Sequence, residues 1–547
     1  MKNWGATIIL LLWGITIIAQ ENGMEYILLE SNLPIISIRT HNQEIPDEPK
    51  ITASMAIIAN DSSHINTLTT SFNKYELQIG IEMRGESSQY FYPKKSYGIE
   101  TRDSLGENLN IPLLGLPKEN DWILYAPYGD KTMLRNAIVY DAARKMMDWA
   151  PHLIFCELVI NNAYQGVYLF GEKIKRDKNR VDIAKLVEKD TAGNDLTGGY
   201  IIKIDKGERN DFTGWDSPYS PTPTSHQEIF FQYHYPKPEN ILPVQSAYIQ
   251  DHIESFEASL MGENFSDPDL GYQAYIDVDT FVDYFILNEL SRNVDGYRLS
   301  TFLYKDKDSN DGRIKMGPVW DYNLGFGNAD YCLAYNHVGW AYKLNTTCPN
   351  GYWSIPFWWE RLMEDRHFKN LLKTRWVELR EGPLQTDTLI NFINDQVTYL
   401  GDAIPRNFEK WPILGRWVWP NYTVKNTYSE EVDELIRWIS YRVKWLDAYM
   451  PGSQINTGIE ESYITDLELE VYPNPFTDVF TINAPVQPPE QMLLQVYSAT
   501  GQKIIDNTIQ SYPYQVSLTG QTSGFYYFRL ITKKGNLLHQ GKLMKQE

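Results

Sequence analysis

Residues 315–328 read KMGPVWDYNLGFGN. They hold a strand end at Lys315-Met316, a turn signal at Gly317-Pro318, an aromatic-acidic step at Trp320-Asp321, and a close at Gly325 and Gly327. Just upstream, RLSTFLYKDKD (298–308) and GRIKMGPVWD (312–321) predict two strands joined by a polar turn, with Asn310-Asp311-Gly312 as the hairpin signal. Before them a helix over Val278 to Arg292 runs into the polar turn Asn293-Val294-Asp295-Gly296-Tyr297-Arg298. Farther upstream lie Arg84-Gly85-Glu86-Ser87-Ser88 and Pro93-Lys94-Lys95-Ser96-Tyr97. Phosphoryl transfer needs these parts: cations for the phosphates, one Asp near the acceptor and a second Asp to hold Mg²⁺. Mg²⁺ takes one or two carboxylates and phosphate oxygens, so sparse acidic ligands suffice.

The surrounding pattern is mixed α/β. IISIRT, YELQIGIEMRG, KSYGIETRD and YIIKID read as strands, and LIFCELVIN with QGVYLFGEKI reads as a hairpin around Asn161-Asn162. Thr132 to Met147 carries Leu134, Ile138, Ala142 and Met146 at helical spacing. Residues 209–240 are rich in Pro, Ser and Thr and read as a loop or insertion. Phe357 to Trp445 reads as helical and Trp-rich. Periodicity alone goes no further than a mixed α+β domain.

The chain has 547 residues and a net charge of −20, so phosphate backbones repel it and nucleic acid is excluded as a general partner. Three cysteines exclude a disulfide-built scaffold. Cys156, in an apolar run, reads as a buried small hydrophobe. No Walker loop, His-Glu-x-x-His or Gly-x-Ser-x-Gly occurs, and Asp306–Gly312 misses calcium-loop spacing.

The segments MRGESSQYFYPKKSYGIETRD (83–103), the run 116–146 around LRNAIVYDAARKM, QGVYLFGEKIKRDKNRVDI (165–183), GGYIIKID (198–205), NELSRNVDGYRLSTFLYKD (288–306) and KMGPVWDYNLGFGN resemble the CotH family, the spore-coat protein H type of atypical protein kinases. The likeness spans about residues 35–450. It implies a divergent protein-kinase-like fold with a helical C-terminal part, and transfer of the ATP γ-phosphate to Ser or Thr of a protein substrate, with Mg²⁺ or Mn²⁺. By position it implies Lys95 as the phosphate-clamping lysine, Arg84 and Arg135 as further cations, and Glu172 as a group orienting the lysine or touching nucleotide. Asp295 is then the catalytic-loop Asp and Asp321 the metal-binding Asp, with Asn323 and Asp295 able to share the metal. Trp320 and Tyr168 would stack on adenine. Two positions depart from the family pattern: Ser300 stands where Asn is frequent, and Asn323 where Asp is frequent.

Each residue also has a plainer reading. Lys94 and Lys95 fit an exposed charged strand, Arg84 a structural ion pair, Asp295 a cap, Asp321 an Asx turn and Trp320 a core ring. A catalytically weak adhesin or structural protein on the same fold is therefore the rival function, and a glycan binder rests on aromatic content alone.

Both ends point to export. Lys2 and the apolar run IILLLWGITIIA (8–19) predict a signal peptide over 1–19, too short to span a bilayer. Residues 20–450 form the main domain and 451–465 a linker. Residues 466–547 alternate as short strands and predict a small all-β sandwich. Tyr472-Pro473-Asn474-Pro475, Gly501, Gly524-Phe525-Tyr526 and Lys542 to Lys545 resemble the C-terminal sorting domain of the Bacteroidetes type IX secretion system. That resemblance implies outer-membrane secretion machinery as a partner and a secreted or surface location. In an exported chain Cys332 and Cys348 then read as a disulfide pinning a loop, with two free thiols as the alternative.

Overall fold

The computed structural model describes residues 30–60, 65–69, 71–207, 209–210, 212–454, 469–483, 491–532 and 537–546. The expected signal peptide and most of the expected linker lie outside them. The chain divides into two compact units, residues 1–455 and 456–547.

The first unit is built on a closed seven-stranded barrel. Its strands are β1 (Ile35–Arg39), β2 (Ile51–Ile58), β3 (Tyr75–Arg84), β4 (Ser96–Thr101), β5 (Asp121–Tyr125), β6 (Leu153–Ile160) and β7 (Ala163–Glu172). Around the barrel the order is β6-β7-β5-β4-β3-β2-β1. Every pair is antiparallel except β1 with β6, which run parallel and close the ring with Ile35 opposite Glu157. Alternation fills the interior: Ile79, Ile81, Ile99, Leu124, Leu158, Tyr168 and Phe170 pack inside, and Cys156 lies among them as a buried free thiol. The β6–β7 hairpin turns on Asn161 and Asn162, both left-handed with φ of 49° and 68°, the conformation a two-residue turn between twisted strands requires.

A second, antiparallel sheet is made from β8 (Tyr200–Ile204), β9 (Gly214–Asp216), β10 (Phe230–Tyr235), β11 (Thr301–Lys305) and β12 (Lys315–Met316), in the order β9-β10-β8-β11-β12. The stretch 209–240 thus supplies two strands, with its Ser residues and most of its Pro residues in the connection between them.

The helices are α1 (Arg135–Ala143), α2 (Pro243–Met261), α3 (Val278–Ser291), α4 (Arg366–Arg380), α5 (Thr386–Leu400), α6 (Ala403–Lys410) and α7 (Tyr428–Tyr449), with shorter turns between them. Helix α1 is shorter than the Thr132–Met147 pattern suggests. Thr132 and the Arg135 backbone are both bonded to Asp130, and this cluster fixes where the helix begins. Helix α3 is buried on all faces from Phe281 to Ser291 and forms the axis of the larger core with Trp358, Trp359 and Trp376. Its Glu289 is fully buried. It pairs with Arg442 of α7 at 3.0 Å and accepts the Ala341 and Tyr342 amides at 2.8 and 2.9 Å. A buried charge pair needs this degree of satisfaction to be tolerated.

The second unit is all-β. A three-stranded antiparallel sheet (Glu470–Tyr472, Val479–Asn483, Tyr514–Ser517) faces a four-stranded one (Met492–Ser498, Lys503–Ile509, Gly524–Thr532, Leu537–Lys545) around Phe480, Leu494, Val496, Phe528 and Leu543. The molecule is thus an α+β domain followed by a small all-β domain. Among the described residues no helix is long and apolar enough to cross a membrane.

Candidate active site

The end of β3, the short helix Ser87–Phe91 after it, the turn following α3, the end of β8 and the loop 317–327 surround one cleft of about 800 Å³. Arg84, Asp295, Ser300, Trp320, Asp321 and Asn323 all line it.

Asp321 is aimed by its backbone. Its φ is 64°, a left-handed conformation uncommon for a side chain other than Asn, Asp or Gly. The strain is held from both sides. The Asp321 amide donates to Tyr140 Oη at 3.1 Å, its carbonyl accepts from Asn293 Nδ2 at 3.1 Å, and the next amide, of Tyr322, donates to Asn136 Oδ1 at 2.7 Å. Both Tyr140 and Asn136 stand on α1. The loop closes at Gly327, where φ is 75° and a Cβ would lie 2.4 Å from Trp438 Nε1, so glycine is required there.

Asp321 is exposed to the cleft, with Tyr322 buried directly behind it. Burial, followed by the charges of Asp295 and Asp205, pushes its pKa up to about 6, against the opposing pull of Lys206 and Arg84. Arg84 is half-buried, its guanidinium 5.4 Å above the Trp320 ring, and burial lowers its pKa. Trp320 in turn lies 6.2 Å from the Tyr140 ring and is only partly covered, leaving ring surface on the cleft. Asp295 sits in a tight turn with its carboxylate 3.3 Å from Arg298.

Four residues expected at the site lie outside the cleft. Lys95 turns back and donates to the carbonyls of Gln89 and Tyr92 at 2.5 and 2.7 Å, tying down the short helix. Arg135 binds Asp130 at 2.6 Å and the Gly325 carbonyl at 3.1 Å, so it braces the 317–327 loop from behind. Tyr168 is buried in the barrel interior, its hydroxyl donating to the Lys95 carbonyl at 2.9 Å. Glu172 pairs with Arg180 at 3.0 Å and accepts the His152 amide at 3.1 Å.

Two charged residues that sequence reading passed over take part instead. Asp205 and Lys206 follow β8 directly and line the cleft. Gln232 Nε2 donates to both their carbonyls at 2.9 Å, and Lys206 Nζ reaches Ser87 Oγ at 2.7 Å. The only sequence signal was a charged pair at the end of the apolar strand YIIKI. A smaller cavity of about 460 Å³ behind Gly317-Pro318 is also acidic, but Asp283 is engaged by Arg375 and Asp148 by Lys315. Cys332 and Cys348 are joined by a disulfide, with Cα atoms 5.2 Å apart, and both line the cleft.

Asp321, Asp295, Asp205 and Asn323 offer the oxygen donors a hard divalent cation takes and share the cleft with Arg84 and Lys206, although among the described residues no group of three His, Cys, Asp or Glu is placed to hold a metal as a preformed cluster. Burial first, and repulsion from Asp295 and Asp205 second, raise Asp321, and a bound cation would relieve the second of these.

No curated protein matches the chain. Residues 470–546 match the family described as secretion system C-terminal sorting domain, which indicates export and engagement of secretion machinery. Residues 81–446 match the family described as CotH kinase protein, and they enclose the whole cleft. The chain belongs to the CotH kinase protein family.

Proposed function

We propose that the protein transfers the γ-phosphate of ATP to Ser or Thr hydroxyls of another exported or surface protein. The observation that carries this reading is the convergence of Asp295, Asp321 and Asp205 with Arg84 and Lys206 in one cleft, against the face of Trp320.

Asp321 would hold the divalent ion, Mg²⁺ or Mn²⁺, with Asn323 and Asp295 as further oxygen donors. That ion supplies neutralisation of phosphate charge. At neutral pH Asp321 is mostly ionised, because its pKa of about 6 lies below 7. Arg84 and Lys206 balance the rest of the triphosphate charge, and Trp320 offers a stacking face for adenine. Asp295 orients the acceptor hydroxyl and takes its proton. Fixed charges in a recessed cleft supply most of the rate by positioning and electrostatics. Residues 470–546 would direct the chain to the type IX machinery in the outer membrane, after a signal peptide at 1–19 has carried it into the periplasm.

The rival reading is a surface adhesin or structural protein with weak or lost activity. One observation favours it: among the described residues no group of three His, Cys, Asp or Glu is arranged to hold a metal. Transfer of labelled γ-phosphate, with Mg²⁺ or Mn²⁺, to a generic acceptor and to the chain itself decides between them. The kinase reading expects signal that disappears in Asp321→Ala. Absence of signal, together with no thermal stabilisation by ATP and metal, overturns it.

A further inference from the structure

The Cys332–Cys348 disulfide lies on the cleft wall and closes a segment that ends just before Asn350, Gly351, Tyr352 and Trp353, all of which line the cleft. Trp353 is in contact with two charged groups of the site. Its carbonyl accepts from Arg298 Nη1 at 2.8 Å, and its ring lies 5.3 Å beneath Lys206 Nζ. Arg298 is 4% exposed and reaches in two further directions. Its Nε donates to the Val294 carbonyl at 2.9 Å, and its Nη2 lies 3.3 Å from the Asp295 carboxylate. Gly351 joins these parts: a Cβ placed on it would stand 3.6 Å from Arg298 Nη1 and 3.7 Å from Cys348 Sγ. Sulfur and guanidinium therefore pack around one residue.

We propose that Arg298 is a positioning residue for Asp295, and that the disulfide-closed segment, acting through Gly351 and the Trp353 carbonyl, is the strut that holds Arg298 in place. The direction of the chain of contacts gives the reason. Arg298 belongs to the same turn as Asp295, so a hydrogen bond between them cannot by itself fix that turn relative to the cleft. The bond to Trp353 does so at the Arg298 end of the turn, as the bond from Asn293 to the Asp321 carbonyl does at its start, because both partners come from different parts of the fold. A guanidinium suits the role, since its rigid fork bonds a carboxylate and two carbonyls at once. Other contacts also hold the segment: Glu289 accepts the Ala341 and Tyr342 amides, Arg442 binds the His337 and Gly339 carbonyls, Trp438 binds the Tyr335 carbonyl, Asn345 exchanges bonds with Ile355, at 2.8 Å each way, and Gln227 binds the Gly351 carbonyl. The inference is that these do not suffice without the sulfur bridge.

The proposal rests on the kinase reading for its consequence in catalysis, but not for its geometry, and two readouts separate the two. The first is amide hydrogen exchange of the full chain, followed by mass spectrometry. In Cys332→Ser/Cys348→Ser, exchange is expected to rise in residues 293–299 as well as in 349–353. A change confined to 332–353, or none, overturns the strut. Should the serine pair fail to fold, Gly351→Val keeps both cysteines and Arg298 and wedges a branched side chain between them, and it is expected to give the same pattern. The second readout is kinetic. Arg298→Ala is expected to lower kcat about 100-fold while KM for ATP stays within about threefold, and Arg298→Lys to recover part of kcat. A raised KM with unchanged kcat would place Arg298 on the nucleotide and overturn its positioning role. If the unmodified chain transfers no phosphate, the kinase reading fails while the exchange result still decides the strut.

Discussion

Two adjacent lysines show what a sequence can and cannot say at the scale of one residue. Lys94 and Lys95 are equivalent in composition and motif, yet neighbouring residues near a strand point opposite ways. Lys94 goes inward, to the Val167 carbonyl and Asn407 at 2.6 and 2.9 Å, and Lys95 goes back to its own short helix. Neither lines the cleft, whereas Lys206, unremarked in the linear pattern, does. The expected consequence is a separation of phenotypes. Lys206→Ala should lower phosphate transfer about 100-fold with little change in melting temperature. Lys95→Ala should instead lower stability by about 1–2 kcal/mol through two lost hydrogen bonds, with transfer reduced far less. Parallel melting and transfer assays on the two variants check this. Arg84, Asp295, Trp320 and Asp321 were legible because each sits at the end of an element or in a turn, where local motif and location coincide. Asp205 was not, because only pairing of β8 with β11 brings it across from the 293–300 turn.

Elements with a strong period or a specific turn were readable, as the Asn161-Asn162 hairpin shows. Those whose evidence is tertiary were not. Strands β9 and β10 hide in a Pro- and Ser-rich stretch because ladder pairing, with Trp215 opposite Phe231, outweighs composition. Helix α2 starts at Pro243, a residue that breaks helices elsewhere but suits a first turn. This helix also carries a titrating group. Glu257 is 1% exposed, accepts from Ser217 Oγ at 2.8 Å and Trp358 Nε1 at 2.9 Å, and is pushed up to about 7 by burial. Unfolded, it would ionise near the ordinary 4.5. Between those values the folded state keeps a proton that the unfolded state has lost, so stability falls as pH rises through the window. Glu257→Gln should remove that slope. The variant should gain stability relative to the parent on going from pH 5 to pH 8, by up to about 3 kcal/mol at full effect. Denaturant melts at the two pH values measure it.

At the scale of the molecule, two units with separate cores predict separable behaviour. A chain ending at residue 454 should keep the melting transition of the first unit, because none of the Phe480–Leu543 core belongs to it. The same chain should fail to reach the cell surface, which fractionation of producing cells would show. The barrel carries a different consequence. It has one seam, where β1 lies alongside β6, and the ring cannot shut until residue 172 is present, because β7 links β6 to β5. The family match begins at residue 81, inside the ring. A fragment cut there would discard Ile35–Arg39, Ile51–Ile58 and most of Tyr75–Arg84, leaving Ser96–Thr101 and Leu153–Ile160 as raw edges. Residues 81–454 should therefore aggregate where residues 30–454 run as a single species on size exclusion. The region where kinship is densest is not the smallest piece that can stand by itself.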